Sequence, residues 1–490
     1  MLEEARQMIR LGSVSSSGNE EVVNYIATLF KERGFITHQQ QVMHSLENIG
    51  KRQFNIIGIL GDPLVDKKTR KGLLLTTHLD TAGPGLLTNW TETSGAPFSV
   101  AVKEGKIYGL GTADAKLDFL CKLRAVEKFR EKKLRMPIYL VGTCGAELGM
   151  LGAKYLIKSL ALNPKYVVVG GPTNLKAVYG HKCMVVYRVS IGYQMVERDA
   201  RGFNRRIDFY SYGRSAHGAC PHLGINAITQ ASEFLQAAAD NGFETRFTRL
   251  DGGDSGNKVP DQALAEFFLT SHQFEDFKRF FREFARTEGK EKAFKVELGG
   301  LGDTGVRFLP DVLFPCIMDI GSFFRNLSDG FERATDSSYS PPFSTVNFSL
   351  LKQKLGGVDL FYDLRLLATS SLEETEKQIF MGVQTIASRY PGLNISISRD
   401  LVNPSLNMTL QHDLIRICRD AMVAAGIEAV FDKSSASTEA SQYYHAGHEA
   451  LVFGPGNLQG NSRSPNEHNF LDQIDKAVVF YEKLIERVCT

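Results

Sequence analysis

Residues 142–153, GTCGAELGMLGA, are the stretch on which the interpretation of this fold depends. They follow the apolar run Pro137–Val141, which is typical of a buried strand, and they precede a segment with helical spacing. Glu147, the carboxylate of this stretch, therefore lies at the predicted carboxyl end of a strand. In open α/β sheets, ligands bind at that end. Taken alone, the stretch also fits an ordinary strand-to-helix loop with a solvated glutamate, so the rest of the chain has to decide.

Similar apolar runs occur at Phe54–Leu60, Gly72–Thr77 and Tyr166–Gly170. Helical patterns around Lys116–Lys132 and Met150–Leu160 separate the later runs. Near-continuous apolar strands that alternate with helices are buried on both faces. The sequence therefore predicts an α/β fold, with a mixed sheet flanked by helices.

The pattern changes near residue 184. From there to residue 402, strands with polar alternation and helices form an α+β arrangement that occurs twice in tandem, separated by a less regular stretch at residues 286–342. We predict that residues 1–183 and 403–490 form one catalytic-type α/β domain. Residues 184–402 form an inserted, internally duplicated α+β domain.

The composition restricts the function classes. The chain has 490 residues, 43% of them hydrophobic, and a formal net charge of +2. This balance provides no bulk attraction to nucleic acid or to an anionic membrane. The N-terminal sequence MLEEARQMIR lacks the apolar core of a secretory signal. The seven cysteines form no C-x-x-C pair, which favours a reducing, cytoplasmic location.

Two further motifs carry groups that could act in catalysis. His78 and Asp80 follow the strand at Gly72–Thr77, an arrangement that suits a metal-bound imidazole steadied by a carboxylate. Asp114 lies in YGLGTADAK, directly before a predicted helix. Singly, a core histidine and a helix N-cap explain these residues equally well.

Together, these stretches resemble the zinc-dependent amidohydrolases and exopeptidases that include acetylornithine deacetylase, succinyl-diaminopimelate desuccinylase, aminoacylase and carnosinase-type dipeptidases. The resemblance extends from residue 73 to 467. The matching stretches are LLLTTHLDT, GKIYGLGTADAK, ELGMLGA, VVVGGPTNLKAVYGHK, GRSAHGACPHLGINAI, GGDSGNKVP, STEAS, and FGPG followed by SPNE. The resemblance implies a zinc-exopeptidase-like fold in which the inserted domain is a double lid.

The resemblance also implies a chemistry. Two zinc ions that share a bridging carboxylate polarise the scissile carbonyl, and a neighbouring Glu moves the proton of the attacking water. Residue by residue, His78 matches the first metal ligand, with Asp80 behind it as a catalytic-site residue. Asp114 matches the bridging ligand, and Glu147 matches a ligand of the second metal.

Four family positions have lost their functional group. The general base falls on Ala146, and the Asp that usually precedes the Glu-Glu pair falls on Gly145. An acidic ligand falls on Gly171, and the last histidine ligand falls on Arg463. Each metal position keeps two ligands, whereas a catalytic zinc normally has three from the protein. At most one zinc ion is therefore expected, and a metal-free site is the alternative. We expect Arg463 to replace the second metal by pairing with Asp114 and Glu147.

Other side chains could complete or rebuild a site. His217 matches the lid histidine that reaches the substrate carbonyl, and Asn257 and Arg365 match lid positions near substrate-binding groups. A turn role for Asn257 and a packing role for Arg365 remain open. Five further residues lie in segments that could border the cleft, although structural roles explain each of them: Cys144, His181, Asp432, Glu439 and His445.

Three functions remain open for the chain. It is a family member that has lost hydrolysis and binds a small amide, N-acyl amino acid, peptide or protein. Alternatively, it is an active amidohydrolase with one rebuilt metal site, or a structural subunit with a vestigial cleft. We favour loss of hydrolysis. The double lid favours a monomer, because it supplies internally what a second subunit supplies elsewhere.

Overall fold

The computed structural model describes residues 1–43, 52–62, 72–159, 162–194, 202–301 and 306–490. The chain divides into two compact units. Unit 1 comprises Met1–His181 and Asn403–Thr490, and unit 2 comprises Lys182–Val402.

The helices and strands follow in chain order. Up to residue 181 they are α1 Leu2–Arg10, α2 Glu20–Glu32, β1 Ile36–Val42, β2 Gln53–Leu60, β3 Leu73–His78, β4 Ala101–Lys103, β5 Lys106–Tyr108, α3 Lys116–Glu127, β6 Ile138–Thr143, α4 Leu151–Ser159, β7 Tyr166–Gly170 and β8 Ala177–His181. The next are β9 Cys183–Gly192, β10 Phe203–Tyr212, α5 Ala227–Asp240, β11 Arg246–Gly252, β12 Gln262–Thr270, α6 Phe274–Thr287, β13 Phe294–Leu301, α7 Leu313–Phe331, β14 Thr345–Lys354, β15 Gly357–Leu366, α8 Leu372–Ala387 and β16 Asn394–Asn403. The last are β17 Leu406–Asn407, α9 Asp413–Ala424, β18 Phe431–Ser434, α10 Ala440–His445, β19 Glu449–Phe453, β20 His468–Phe470 and α11 Leu471–Cys489.

Unit 1 is built around a mixed sheet of strand order β1-β2-β6-β3-β7-β19-β8-β17, with β18 paired to β8. The central strands β6, β3, β7 and β19 are mutually parallel, and β1 and β2 continue the sheet in antiparallel fashion. Every residue of β3 and β7 is buried. The apolar runs of the sequence form these strands because both faces of the sheet are covered.

Helices cover the two faces of this sheet. The Phe30 ring of α2 lies so close to Gly58 that a Cβ there would be 2.7 Å from the ring. Gly152 of α4 lies against Asn55, which donates a hydrogen bond to its carbonyl oxygen. Because residues 55 and 58 of one strand point to opposite faces, α2 and α4 lie on opposite sides of the sheet.

Unit 2 contains a sheet of strand order β13-β10-β12-β11-β14-β15-β9-β16. The sheet consists of two halves of four strands each. Counted from the edge of the sheet to its middle, the strands of both halves follow the same order. In one half, β10-α5-β11-β12-α6-β13 forms a βαββαβ unit, and in the other half β9-α7-β14-β15-α8-β16 does so. The halves meet where β11 pairs with β14 over two residue pairs, Asp251↔Lys352 and Gly252↔Leu351.

Two details of the sequence prediction for this region were wrong. The first βαββαβ unit does not precede the second in tandem, because it is inserted between β9 and α7 of the second. The stretch from 286 to 342 is also more regular than predicted, since it contains β13 and the 19-residue helix α7. Pro315 lies in the first turn of α7, where no backbone donor is needed, so this proline is compatible with the helix.

The structure also bears on membrane insertion. No helix within the part of the chain that the structure describes is both long enough and apolar enough to cross a bilayer.

Candidate active site

The candidate site of unit 1 lies where its central parallel strands end. His78 is the last residue of β3, Glu147 follows β6, and Gly171 directly follows β7. The segment with Arg463 follows β19, and Asp114 precedes α3. Because β6, β3, β7 and β19 run parallel, their carboxyl ends share one edge of the sheet. The predicted location of the site follows directly from this topology.

His78 forms hydrogen bonds through both ring nitrogens. Nδ1 lies 3.0 Å from the carbonyl oxygen of Asp80, and Nε2 lies 3.0 Å from Oδ1 of Asp114. A carbonyl and a carboxylate oxygen only accept, so both nitrogens donate and the ring is an imidazolium. Burial lowers the pKa of His78, but the carboxylates of Asp114, Asp80 and Glu439 together outweigh burial and raise the pKa to about 10. A metal-bound imidazole instead presents an unprotonated nitrogen to the ion.

Arg463 contacts two carboxylates of the site, those of Asp114 and Glu147. Its Nε lies 3.3 Å from Oδ2 of Asp114, and its Nη2 lies 2.7 Å from Oε1 of Glu147. The side chains of the carboxylates are 7% and 10% exposed, and that of Arg463 is 26% exposed. The ion pairs predicted for Arg463 are therefore present. Burial raises the pKa of Glu147, and the guanidinium opposes this shift.

Asp80 differs from its predicted role. Its carboxylate does not steady the imidazole, because Oδ1 lies 3.8 Å from Nδ1 of His78 while the backbone carbonyl makes the hydrogen bond. The carboxylate instead accepts the N–H groups of Ala146 (3.1 Å) and Glu147 (3.3 Å), and the hydroxyl of Ser15 (2.6 Å). Asp80 therefore positions the loop after β6.

Two residues in this site were missed by the sequence analysis. The hydroxyl of Ser462 donates to Oδ2 of Asp114 at 2.6 Å. The buried carboxylate of Glu467 accepts backbone N–H groups from residues 111, 113, 114 and 463. Burial raises the pKa of Glu467 to about 7. The SPNE motif was a signal for Glu467, whereas nothing in the local sequence indicates Ser462.

Among the five further candidates, Glu439 and Cys144 are buried near the end of β6. Thr143 donates its hydroxyl to both carboxylate oxygens of Glu439 at 2.9 Å. Burial raises the pKa of Glu439 to about 7. The Cys144 thiol has its pKa raised strongly by burial, which makes it a poor nucleophile. His181 is buried as well, and its Nε2 accepts the Thr438 N–H at 3.3 Å.

The other two candidates lie in surface contacts of unit 1. Asp432 pairs with Lys176 at 2.9 Å, and both side chains are about two-fifths exposed. The exposed His445 places Nε2 3.0 Å from the carbonyl oxygen of Ser405. Both contacts lie at the solvent-exposed surface, so they support structural roles for the two residues.

The residues present do not fit the zinc pair that the resemblance implies. The Arg463 guanidinium lies between Asp114 and Glu147, the carboxylates that would bind the ions, and His78 donates to Asp114. Over the described ranges, no group of three or more His, Cys, Asp or Glu side chains is arranged to hold a metal ion. A cationic side chain that contacts both ligands leaves no favourable position for a second cation.

In unit 2, Arg365 is held by an acidic neighbour on its own strand. Its Nε and Nη2 each donate to Asp363 at 2.9 Å, and the side chains are 2% and 0% exposed. Residues two apart on a strand point to the same face, which makes this bidentate pair possible. The Nε and Nη2 donors of Arg365 are thus engaged by Asp363. The predicted contact of Arg365 with a ligand stays a prediction.

His217 and Asn257 lie on two connected loops of unit 2. The Gly218 N–H donates to the carbonyl oxygen of Asn257 at 2.7 Å, and a bridge joins His217 to Lys258. Nδ1 of His217 accepts the Ala219 N–H at 3.0 Å, so the neutral ring carries its proton on Nε2. A Cβ at residue 218 would lie 2.4 Å from Oδ2 of Asp363. The structure therefore brings the loop of His217 against Asp363, with the loop of Asn257 beside it.

Comparison with known proteins identifies the family of the chain. The sequence profile of peptidase family M20/M25/M40 matches residues 74–487 of the chain. This protein therefore belongs to that peptidase family, and the predicted family is confirmed.

Its relatives include acetylornithine deacetylases. Acetylornithine deacetylase of Proteus mirabilis (strain HI4320) is 29% identical over 276 residues, which cover 52% of this chain and 62% of the relative. The chain thus spans about three fifths of that relative's length. This match makes the protein a homologue of acetylornithine deacetylase-like hydrolases.

Solved structures support the fold. Aminoacylhistidine dipeptidase from Vibrio alginolyticus superimposes with a TM-score of 0.59 at 16% identity, covering 98% of this chain and 96% of that one. An M20 family metallo-carboxypeptidase from Sulfolobus solfataricus gives 0.58 at 14% identity, covering 99% and 98%. At such identities the likeness shows the fold alone, and it confirms the predicted mixed α/β class.

Proposed function

We propose that this protein has lost amide hydrolysis and binds a small carboxylate-bearing amide, such as an N-acyl amino acid or a dipeptide. Ala146 is the observation that carries the proposal. It occupies the position of the family's general base, and its backbone N–H is engaged by Asp80. Without a group that accepts a proton from water, the rate of hydrolysis falls by about a hundred- to ten-thousand-fold.

The ion pairs of Arg463 support the same conclusion. Polarisation of a scissile carbonyl requires a metal or another electrophile that is available to the substrate. The Nε and Nη2 donors of Arg463 are engaged by Asp114 and Glu147. The guanidinium is therefore committed to the protein's own carboxylates.

Retained groups of unit 2 support ligand binding. His217, Asn257 and the Asp363–Arg365 pair lie on loops and a strand that contact one another. In this neighbourhood the buried Lys182 donates to the carbonyl oxygens of Pro341 and Phe343. The Asp363–Arg365 pair and Lys182 are engaged within the chain and hold these loops in place, so we propose the ligand contact for His217 and Asn257.

A specific observation favours one rival, an amidohydrolase with a rebuilt site. The Glu439 carboxyl has a pKa of about 7, which is the value that suits a general base at neutral pH. In this rival, Glu439 replaces the missing base. The two functions differ in whether product forms.

One experiment separates them. The full chain is incubated with N-acetylated amino acids and dipeptides, with and without added zinc, and free amine is measured. Binding of the same compounds is measured by calorimetry, with amides that lack the carboxylate as matched controls. We expect saturable binding of the carboxylate-bearing compounds without amine release. Amine release that is lost in Glu439→Gln would establish the rival, and absence of both signals would leave a structural role.

A further inference from the structure

Two segments that are far apart in sequence are joined by one buried carboxylate. Oε1 of Glu467 accepts the N–H groups of Gly111 (2.9 Å), Ala113 (2.9 Å) and Asp114 (3.1 Å). Oε2 of the same residue accepts the N–H of Arg463 at 3.1 Å. Glu467 thus holds the loop before α3 and the segment after β19 in one arrangement.

Side chains join the same segments a second time. Oδ2 of Asp114 accepts from the Ser462 hydroxyl at 2.6 Å and from Nε of Arg463 at 3.3 Å. The guanidinium also reaches Glu147, which follows β6. One arginine therefore connects three segments that carry site residues.

Arg463 is held both by its backbone N–H and by its side chain, and its backbone conformation is consistent with these contacts. Its φ is +61°, in the left-handed region that non-glycine residues adopt at some cost. The hydrogen bond from its N–H to Glu467 and the two ion pairs of its side chain act on the same residue. These contacts hold the residue in a conformation that directs its side chain at both carboxylates.

We propose that Asp114, Glu147, Ser462, Arg463 and Glu467 form a built-in clasp that does the structural work of a metal pair. The clasp places one guanidinium against both site carboxylates and fixes the three segments with protein groups alone. The site of this protein consequently assembles and persists without zinc. This inference shares with the proposed function the absence of a metal pair, but it makes no claim about ligand or turnover.

The first test uses the wild-type full chain. It is purified in the presence of zinc, dialysed, and analysed for metal content, and its melting temperature is measured with and without a chelator. We expect no stoichiometric zinc and no shift on chelation. Stoichiometric zinc together with a lower melting temperature after chelation would overturn the clasp. That result would leave ligand binding and turnover to be judged by their own assay.

The second test removes the clasp arginine. Arg463→Ala removes the guanidinium that contacts two largely buried carboxylates, and we expect the melting temperature to fall by on the order of 5 °C. Arg124→Ala is the matched control, because Arg124 is half exposed and pairs with Glu127 on the surface of the same unit. We expect no measurable shift in the control. Equal shifts in both variants would contradict the clasp.

The third test converts the site. The double variant Gly171→Glu, Arg463→His supplies the two missing ligands and removes the competing cation. A Cβ at residue 171 would meet only the Val452 methyl, at 3.2 Å, which a small shift can accommodate. We expect this variant to bind zinc, up to two ions per chain because both metal positions then have three ligands, and its melting temperature to rise with zinc. A folded double variant that binds no zinc would show that Arg463 is not what excludes the metal.

Discussion

Two arginines of this protein are paired with carboxylates, and they differ in what the pairs connect. Arg365 in unit 2 forms a bidentate pair with Asp363, two residues away on β15. Arg463 in unit 1 divides its donors between Asp114 and Glu147, which lie on different segments more than 300 residues earlier. The first pair stabilises one strand face, whereas the second ties distant loops together.

The difference shows how an enzyme-type site can be altered without collapse. An ion pair between two residues of one strand compensates a buried charge, but it does not fix the positions of neighbouring loops. A divided pair also sets the distance between the loops, because one rigid guanidinium has to reach both partners. In unit 1, that geometry occurs in a chain that has Ala146 at the expected position of the general base and Gly171 at the expected position of a metal ligand.

The largest effect is expected at the local pair. Asp363→Ala leaves the Arg365 charge, which is 2% exposed, buried without its bidentate partner. We expect the free energy of unfolding to fall by roughly 3–5 kcal/mol, measured by urea denaturation. Asp251→Ala is the control, since Asp251 pairs with the partly exposed Lys352, and its cost is expected below about 1 kcal/mol. Similar costs for the two variants would mean that the Arg365 charge is not buried.

The buried carboxyl of Glu439 gives the second prediction. The pKa of Glu439 is raised from 4.5 to about 7, so its contribution to stability is present below pH 4.5 and is lost as the pH rises through 7. At pH 7 we expect Glu439→Gln to increase the free energy of unfolding by roughly 2 kcal/mol, with no gain at pH 4. This gain is smaller than the free energy that corresponds to the full pKa shift, because the amide N–H groups of the new glutamine need hydrogen-bond acceptors.

Urea midpoints of wild type and variant between pH 4 and pH 8 measure this difference. Thr143→Val is the companion variant, since it removes the hydroxyl that donates to Glu439 and leaves the carboxyl in place. It should preserve the pH dependence that Glu439→Gln abolishes. If the urea midpoint of Glu439→Gln varied with pH in parallel with that of the wild type, the raised pKa of Glu439 would be contradicted.

The smallest effect tests the divided geometry of Arg463. Arg463→Lys keeps the positive charge, but an ammonium group on a single stem cannot reproduce the two-sided contact of the guanidinium. We expect a loss of about 1–2 kcal/mol in the free energy of unfolding. Arg365→Lys makes the complementary comparison at the bidentate pair. If Lys replaced Arg463 at no cost, charge alone and not the tie between loops would explain the cluster.

Much of the site could be predicted because it depends on topology. Strand periodicity locates the ends of β3, β6 and β7, and parallel strands must place those ends along one edge. The charge argument then predicts that Arg463 meets Asp114 and Glu147, since buried carboxylates require a cation. Contacts that depend on exact rotamers were not accessible in this way. Asp80 lies 3.8 Å from the imidazole instead of in contact, because three donors from residues 15, 146 and 147 hold its carboxylate elsewhere.

The sequence alone predicted the α/β class and the family, which the comparisons confirm, because these depend on periodicity and on residue identity, and it placed Ala146 where the resemblance implies a general base. Tertiary structure was needed to show that both nitrogens of His78 donate and that Glu467 binds four backbone N–H groups. It was also needed to show that one half of unit 2 is inserted within the other. The physical reason is common to these features. A hydrogen bond or a strand pairing between residues hundreds of positions apart depends on where packing brings the segments, and local sequence does not encode that distance.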